Sequence, residues 1–220
     1  MWGLEVKLDA LYFASFRRPA STSLLLTYIT PPYTTIRGVL ANALGLKRDD
    51  YSIQDWIKVG IRTPKGLDKS REMAKILKLN KLEKDRTYTK AFPSSPIFRE
   101  FLIAPTYDIW VAGEKDKITC IYEALQQPKR PLYLGTSDDL VDVIISEPEE
   151  IFPIKTKQVT GIIGGIHENC RVENVPYKFI KVGNDFFIEY TTVSIPSTNT
   201  TELRAEIDCW KFDSGNVWLI

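Results

Sequence analysis

The order in which side-chain periodicity changes along residues 1–150 constrains this chain more than any composition figure does. Leu4, Val6 and Leu8 alternate with Glu5, Lys7 and Asp9, the period of two of a half-buried strand, so a first strand is expected within residues 4–13. A long loop follows, holding Arg17, Arg18, Pro19, a Ser/Thr run, Pro31 and Pro32, whose fixed φ angles keep a helix from starting early. Ile36, Val39, Leu40, Ala43 and Leu44 then share one helical face, with Thr34 or Thr35 placed to cap its start and Gly45 to close its end. A second strand is expected over 57–63, then a short amphipathic helix around Met73, Ile76 and Leu77. After Pro93 and Pro96, the aromatic and β-branched run 98–111 reads as one long strand bent near Pro105. Asp116 is placed to cap a second helix carrying Ile118, Ile121, Tyr122 and Leu125, Pro128 ends it, and a further strand lies within 132–145.

Strand, helix, strand, strand, helix, strand is the ferredoxin-like order, an α+β fold with both helices on one face of an antiparallel sheet. The opposite sheet face is then expected to be free, as in folds that present aromatic and basic groups to single-stranded RNA. Residues 1–150 are read as this domain, interrupted at 66–90 by the short helix and a basic arm with Arg86, Tyr88 and Lys90. Residues 151–220 read as a small β appendage, with strands over 178–180, 186–193, 203–212 and 217–220 and a hairpin turn at Gly183 and Asn184.

A net charge of +1 conceals an asymmetry. Residues 1–100 hold 18 Lys and Arg against 10 Asp and Glu, and the remainder holds 11 against 18. Residues 58–90 alone carry 11 basic and 4 acidic side chains, a local surface that suits a phosphate backbone, although a solvated Lys-rich helix has the same composition. The N-terminal alternation is neither a signal-peptide core nor a run of about 20 apolar residues, so a cytoplasmic location without a membrane is expected. Cys120, Cys170 and Cys209 are too far apart for a zinc knuckle and odd in number, and they read as small core residues.

Three segments, in order, carry a family resemblance. The first is Phe16-Arg17-Arg18-Pro19 with residues 27–38, from Thr27 and Tyr28 through Pro31-Pro32-Tyr33 to Arg37-Gly38, and on to Leu44-Gly45-Leu46. The second is Arg99-Glu100-Phe101-Leu102 and the third is Pro131-Leu132-Tyr133-Leu134-Gly135. Together they resemble the Cas five family of CRISPR-associated proteins, part of the RAMP superfamily and of type I Cascade complexes. The resemblance implies a chain that grips the 5′ handle of the guide crRNA and caps the Cas seven filament. It also implies a large Cascade subunit as a neighbour and only indirect contact with target DNA. It places the thumb at residues 66–97, where Arg86, Tyr88 and Lys90 lie, and it puts Arg99 on the strand leading out of it.

The residues themselves suggest how such a chain would hold RNA. The amides of Thr35, Ile36 and Arg37 are expected to point outward at the helix N-terminus, where Thr34 also lies and where a phosphate is favoured. Tyr28 and Tyr33 are placed to stack on bases, and Arg17, Arg18 and Arg37 to hold phosphates. No cofactor or metal is expected.

The alternative is a metal-independent endoribonuclease that processes precursor crRNA. Its general base would be His167, the sole histidine, although Tyr and Lys can also serve. His167 follows Gly161-Ile162-Ile163-Gly164-Gly165 with no adjacent lysine, which reads as a structural position. That glycine run lacks dinucleotide-binding spacing and reads as a bulge or tight loop where backbone approaches another chain. Asp138, Asp139 and Asp142 read as turn caps and not metal ligands. A small-metabolite sensor would need a buried polar pocket that the sequence does not indicate.

Overall fold

The structure, a computed structural model, describes residues 1–19, 24–77, 94–183 and 185–220. Its first part runs β1 (Trp2–Ala10), β2 (Phe13–Ala14), β3 (Leu24–Leu25), α1 (Tyr33–Leu44), α2 (Ile53–Trp56), β4 (Ile57–Arg62), β5 (Lys69–Leu77), β6 (Ser94–Ile103), β7 (Thr106–Gly113), α3 (Lys115–Gln126), β8 (Val141–Ile145) and β9 (Glu149–Glu150). Strands then dominate: β10 (Phe152–Thr160), β11 (Ile163–Gly164), β12 (Cys170–Val182), β13 (Asp185–Pro196), β14 (Thr200–Phe212) and β15 (Gly215–Val217). The architecture is mixed α+β.

The main sheet has the order β4-β7-β1-β8, every neighbouring pair antiparallel, with β9 also on β1. The alternation of β1 does what its period requires: Leu4, Val6 and Leu8 are buried on one face with Ile57, Val59 and Ile61 of β4 and Tyr107, Ile109 and Val111 of β7. The same core takes Ile36, Val39, Leu40 and Ala43 from α1 and Ile118, Ile121 and Leu125 from α3, and the two helices pack on each other. Gly45 closes α1 in the left-handed conformation (φ 72°), where its amide reaches the Asn42 carbonyl. At the other end the N-cap is Pro32 and makes no side-chain cap bond, so Thr34 and Thr35 lie inside the first turn.

Three expectations change. Residues 69–77 form β5 and not a helix: β5 pairs antiparallel with β6 from Lys69↔Leu102 to Leu77↔Ser94, and ladder pairing outweighs a weak helical period in a Lys-rich stretch. The run 98–111 is two strands, because Ala104 adopts φ 38° before Pro105 and sends β6 into a separate sheet with β2, β3 and β5. The second face of the main sheet is not bare. Trp110 and Ala112 are buried there with Ile151, Phe212, Val217 and Leu219.

Glycines make that covering possible. A Cβ on Gly3 would lie 2.5 Å from the Phe212 ring, and one on Gly60 would lie 2.5 Å from Val217. The Trp110 indole donates to Ser214 Oγ at 3.0 Å, and Ile220 exchanges backbone hydrogen bonds with Val59 at 2.8 and 3.2 Å. Within residues 151–220, β10, β14 and β15 close on one another, while β12 and β13 form a long ribbon edged by β11. The strands expected at 178–180, 186–193 and 203–212 lie inside β12, β13 and β14. Asn184, expected in the hairpin turn, lies outside the described residues. Among the described residues, no helix is long and apolar enough to cross a membrane.

Candidate nucleic-acid interface

The pre-helix residues separate into two groups. Arg17 is exposed, and Arg18 is half-buried with its guanidinium 4.6 Å from the centre of the Tyr28 ring. Tyr28, Tyr33 and Arg37 are only 4%, 1% and 4% exposed, so neither ring is open to a base and this guanidinium is not open to a phosphate. Arg37 Nη1 donates to the Tyr177 carbonyl, and its guanidinium stacks 4.8 Å from the Tyr177 ring. Burial lowers its pKa, against a smaller upward pull from Tyr177. The Thr35 and Ile36 amides do not point to solvent, because both donate to the Pro32 carbonyl at 2.9 and 3.2 Å. Arg99 lies on β6 against Glu72 at 3.2 Å, and Arg86, Tyr88 and Lys90 lie outside the described residues.

What the fold does assemble is a set of cations around two buried carboxylates. Glu173 of β12, 3% exposed, pairs with Arg18 at 3.0 Å and Arg171 at 2.8 Å. Glu100 of β6, 7% exposed, takes Nε and Nη2 of Arg71 at 3.0 and 2.8 Å and lies 4.0 Å from Lys69. Desolvation pushes the Glu100 pKa up, but the Arg71 hydrogen bonds, the Thr27 amide and Lys69 bring it below its ordinary value. Lys69 moves the opposite way. Desolvation lowers its pKa, Glu100 opposes this, and the charges of Arg171 and Arg18 lower it further. Four cations thus share two carboxylates, leaving a local excess of positive charge.

Beside this cluster opens a cleft of ≈ 420 Å³ between the β4–β5 connection and the β11–β12 and β13–β14 turns. Lys65, Lys69 and Arg171 line it with Thr63, Asn169 and Ser197, and no Asp or Glu is among its lining residues. A pocket with cations and small polar donors, and no carboxylate to repel the ligand, has the chemistry of a phosphodiester site. Lys65 and Lys69 fall in the Lys-rich stretch already evident in the sequence. Arg171 gave no signal there, since only the packing of β12 brings it to the first part of the chain.

Comparison with known proteins decides the family. The model of the family described as CRISPR-associated protein (Cas_Cas5) matches residues 3–164, well over half of the chain. The chain belongs to the Cas five family. A search of curated proteins gives no match. Among solved structures, a chain of a "CRISPR RNA-guided surveillance complex" is similar at 16% identity and TM-score 0.58, over 94% of this chain and 91% of that one. A Cas protein crystal structure is similar at 16% identity and TM-score 0.54, over 91% and 98%. A CRISPR protein from Archaeoglobus fulgidus is similar at 12% identity and TM-score 0.52, over 99% and 98%. These likenesses support the fold.

In this Cas five chain the three resembling segments converge on Ser15. Its hydroxyl donates to the Glu100 carbonyl at 2.9 Å and its amide to Asp139 Oδ2 at 3.1 Å. Gly135 (φ 112°) fits only because it lacks a Cβ, which would lie 2.5 Å from the Ser15 carbonyl oxygen. Asp139 also accepts the Thr136 amide at 3.2 Å, the turn-capping duty expected of it. Within the chain, Gly161 of the glycine run packs on the Ile61 carbonyl and Gly164 on the Trp218 ring. His167 Nε2 lies 3.0 Å from the Gly164 carbonyl, and its amide donates to Ser194 Oγ at 2.8 Å.

Proposed function

We propose that this Cas five chain is a guide-RNA-binding scaffold of a type I CRISPR interference complex, built on a ferredoxin-like RAMP core at residues 1–150 with an inserted thumb and a β appendage at 151–220. The sheet order and the two packed helices support the core assignment, and the β5–β6 hairpin stands where a thumb is expected. The observation that carries the functional reading is the carboxylate-free cleft, to which Lys65 and Lys69 come from the hairpin base and Arg171 from the appendage. In this reading the cleft and the exposed Arg17 hold the 5′ handle of the crRNA, and other surfaces meet a Cas seven subunit and the large subunit, in the cytoplasm. Tyr28, Tyr33 and Arg37 are buried in the core and do not line this cleft.

The scaffold reading also holds that the chain does not cut RNA. Binding of labelled guide RNA over a range of salt concentrations tests the site. Replacing Lys65 and Arg171 by Glu should weaken binding and reduce the salt slope by about one per lost phosphate contact. Unchanged slopes would refute the site. A single defined product from precursor repeat RNA in EDTA, lost in His167→Ala, would instead favour the nuclease.

A further inference from the structure

The β5–β6 hairpin continues the basic cluster outward from the cleft. Residues at alternate positions of a strand share a face, so Lys69, Arg71, Met73 and Lys75 of β5 lie on one side. Their ladder partners on β6 are Leu102, Glu100, Phe98 and Pro96. Glu100 is buried and neutralised by Arg71, whereas Phe98 is 50% and Met73 70% exposed, directly opposite each other in the ladder. Among the described residues, this half-exposed phenyl ring stands on a strand face with an arginine one row inward, a lysine one row outward and Leu24 of β3 beside it in the ladder. Successive rows lie about 7 Å apart, a spacing that an extended ribose-phosphate chain can follow.

We propose that Phe98 is a stacking platform for one unpaired base of the bound RNA, with Met73 beside it and Arg71 and Lys75 holding the phosphates on either side. The proposal rests on the guide-RNA reading above and adds to it a base contact. A phenyl ring accepts any base, so the contact contributes affinity without strong sequence preference.

The test uses the full chain and the guide RNA recovered with the complex that assembles around it, resynthesised with 5-iodouracil at single positions. One position should cross-link to Phe98 on irradiation. Phe98→Ala should weaken binding about tenfold at every salt concentration while leaving the salt slope unchanged, because a stacking ring releases no counterions. Phe98→Trp should retain binding, and Lys75→Gln should lower the slope. If the chain binds RNA with its full salt slope but Phe98→Ala changes nothing and no cross-link forms, the platform is overturned and the scaffold reading stands. If Phe98→Ala leaves RNA affinity intact and instead releases a protein subunit, the face is a protein dock and the platform is likewise overturned. If no RNA is recovered or bound, the scaffold reading falls and the platform with it.

Discussion

The Arg18 guanidinium lies 3.0 Å from the buried carboxylate of Glu173, joining the loop after β2 to β12. Arg171 meets the same oxygen from within β12, so one carboxylate that is almost wholly out of water orients cations from both parts of the chain. A buried pair contributes little against an apolar substitute, but removing one member strands the other. Because Arg18 and Arg171 keep 31% and 52% of their side chains in water, Glu173→Gln should destabilise the fold by about 1–3 kcal/mol, measured as a lower denaturant midpoint with unchanged m-value. A loss below 1 kcal/mol would show that water already screens the pair.

Arg37 separates structural duty from RNA contact. Its guanidinium is spent on the Tyr177 carbonyl and ring, so Arg37→Ala should cost about 1.5–3 kcal/mol, the range for hydrogen bonds to charged groups. The salt slope of RNA binding should not move in the folded variant. A reduced slope would place Arg37 at a phosphate after all.

Acid should loosen the hairpin base first. The folded pKa of Glu100 is held below its unfolded value, so its contribution to stability is fully present above that unfolded value, near 4.3, and is lost as pH falls through the lower folded value. Glu100→Gln should flatten the stability profile below about pH 4.3. Urea midpoints taken across that range report the slope, and an unaltered profile would refute the role of Glu100.

The covered sheet face makes Gly60 intolerant of a side chain. A Cβ would meet Val217 at 2.5 Å, Leu219 at 3.0 Å and the Trp218 carbonyl at 3.1 Å. Gly60→Val should destabilise by about 1–3 kcal/mol or more through overpacking. It should also loosen the C-terminal segment, read as faster amide exchange at Val59 and Ile220. Retained protection would mean that the segment moves aside without loss.

Much of the framework was legible because it is written in local periods. The alternation of Leu4, Val6 and Leu8 specifies β1, the spacing of Ile36, Val39, Leu40 and Ala43 specifies the buried face of α1, and Gly45 marks its end. Periodicity failed at residues 69–77, where few apolar positions exist and strand pairing with β6 decided the conformation. At the pre-helix loop, residue chemistry alone pointed to RNA, but a buried arginine and an exposed one have the same sequence signature.

The sequence by itself determined the first strand, both long helices, the excess of positive charge between residues 58 and 90, and the three segments that mark the family. Only the tertiary structure decided which cations reach solvent together. Arg171 joins Lys69 because β12 packs beside the hairpin base, Arg37 leaves the surface because Tyr177 covers it, and the second sheet face closes because Gly3 and Gly60 admit Phe212 and Val217. Each of these depends on contacts between residues far apart in the chain, and local side-chain patterns carry no record of such contacts.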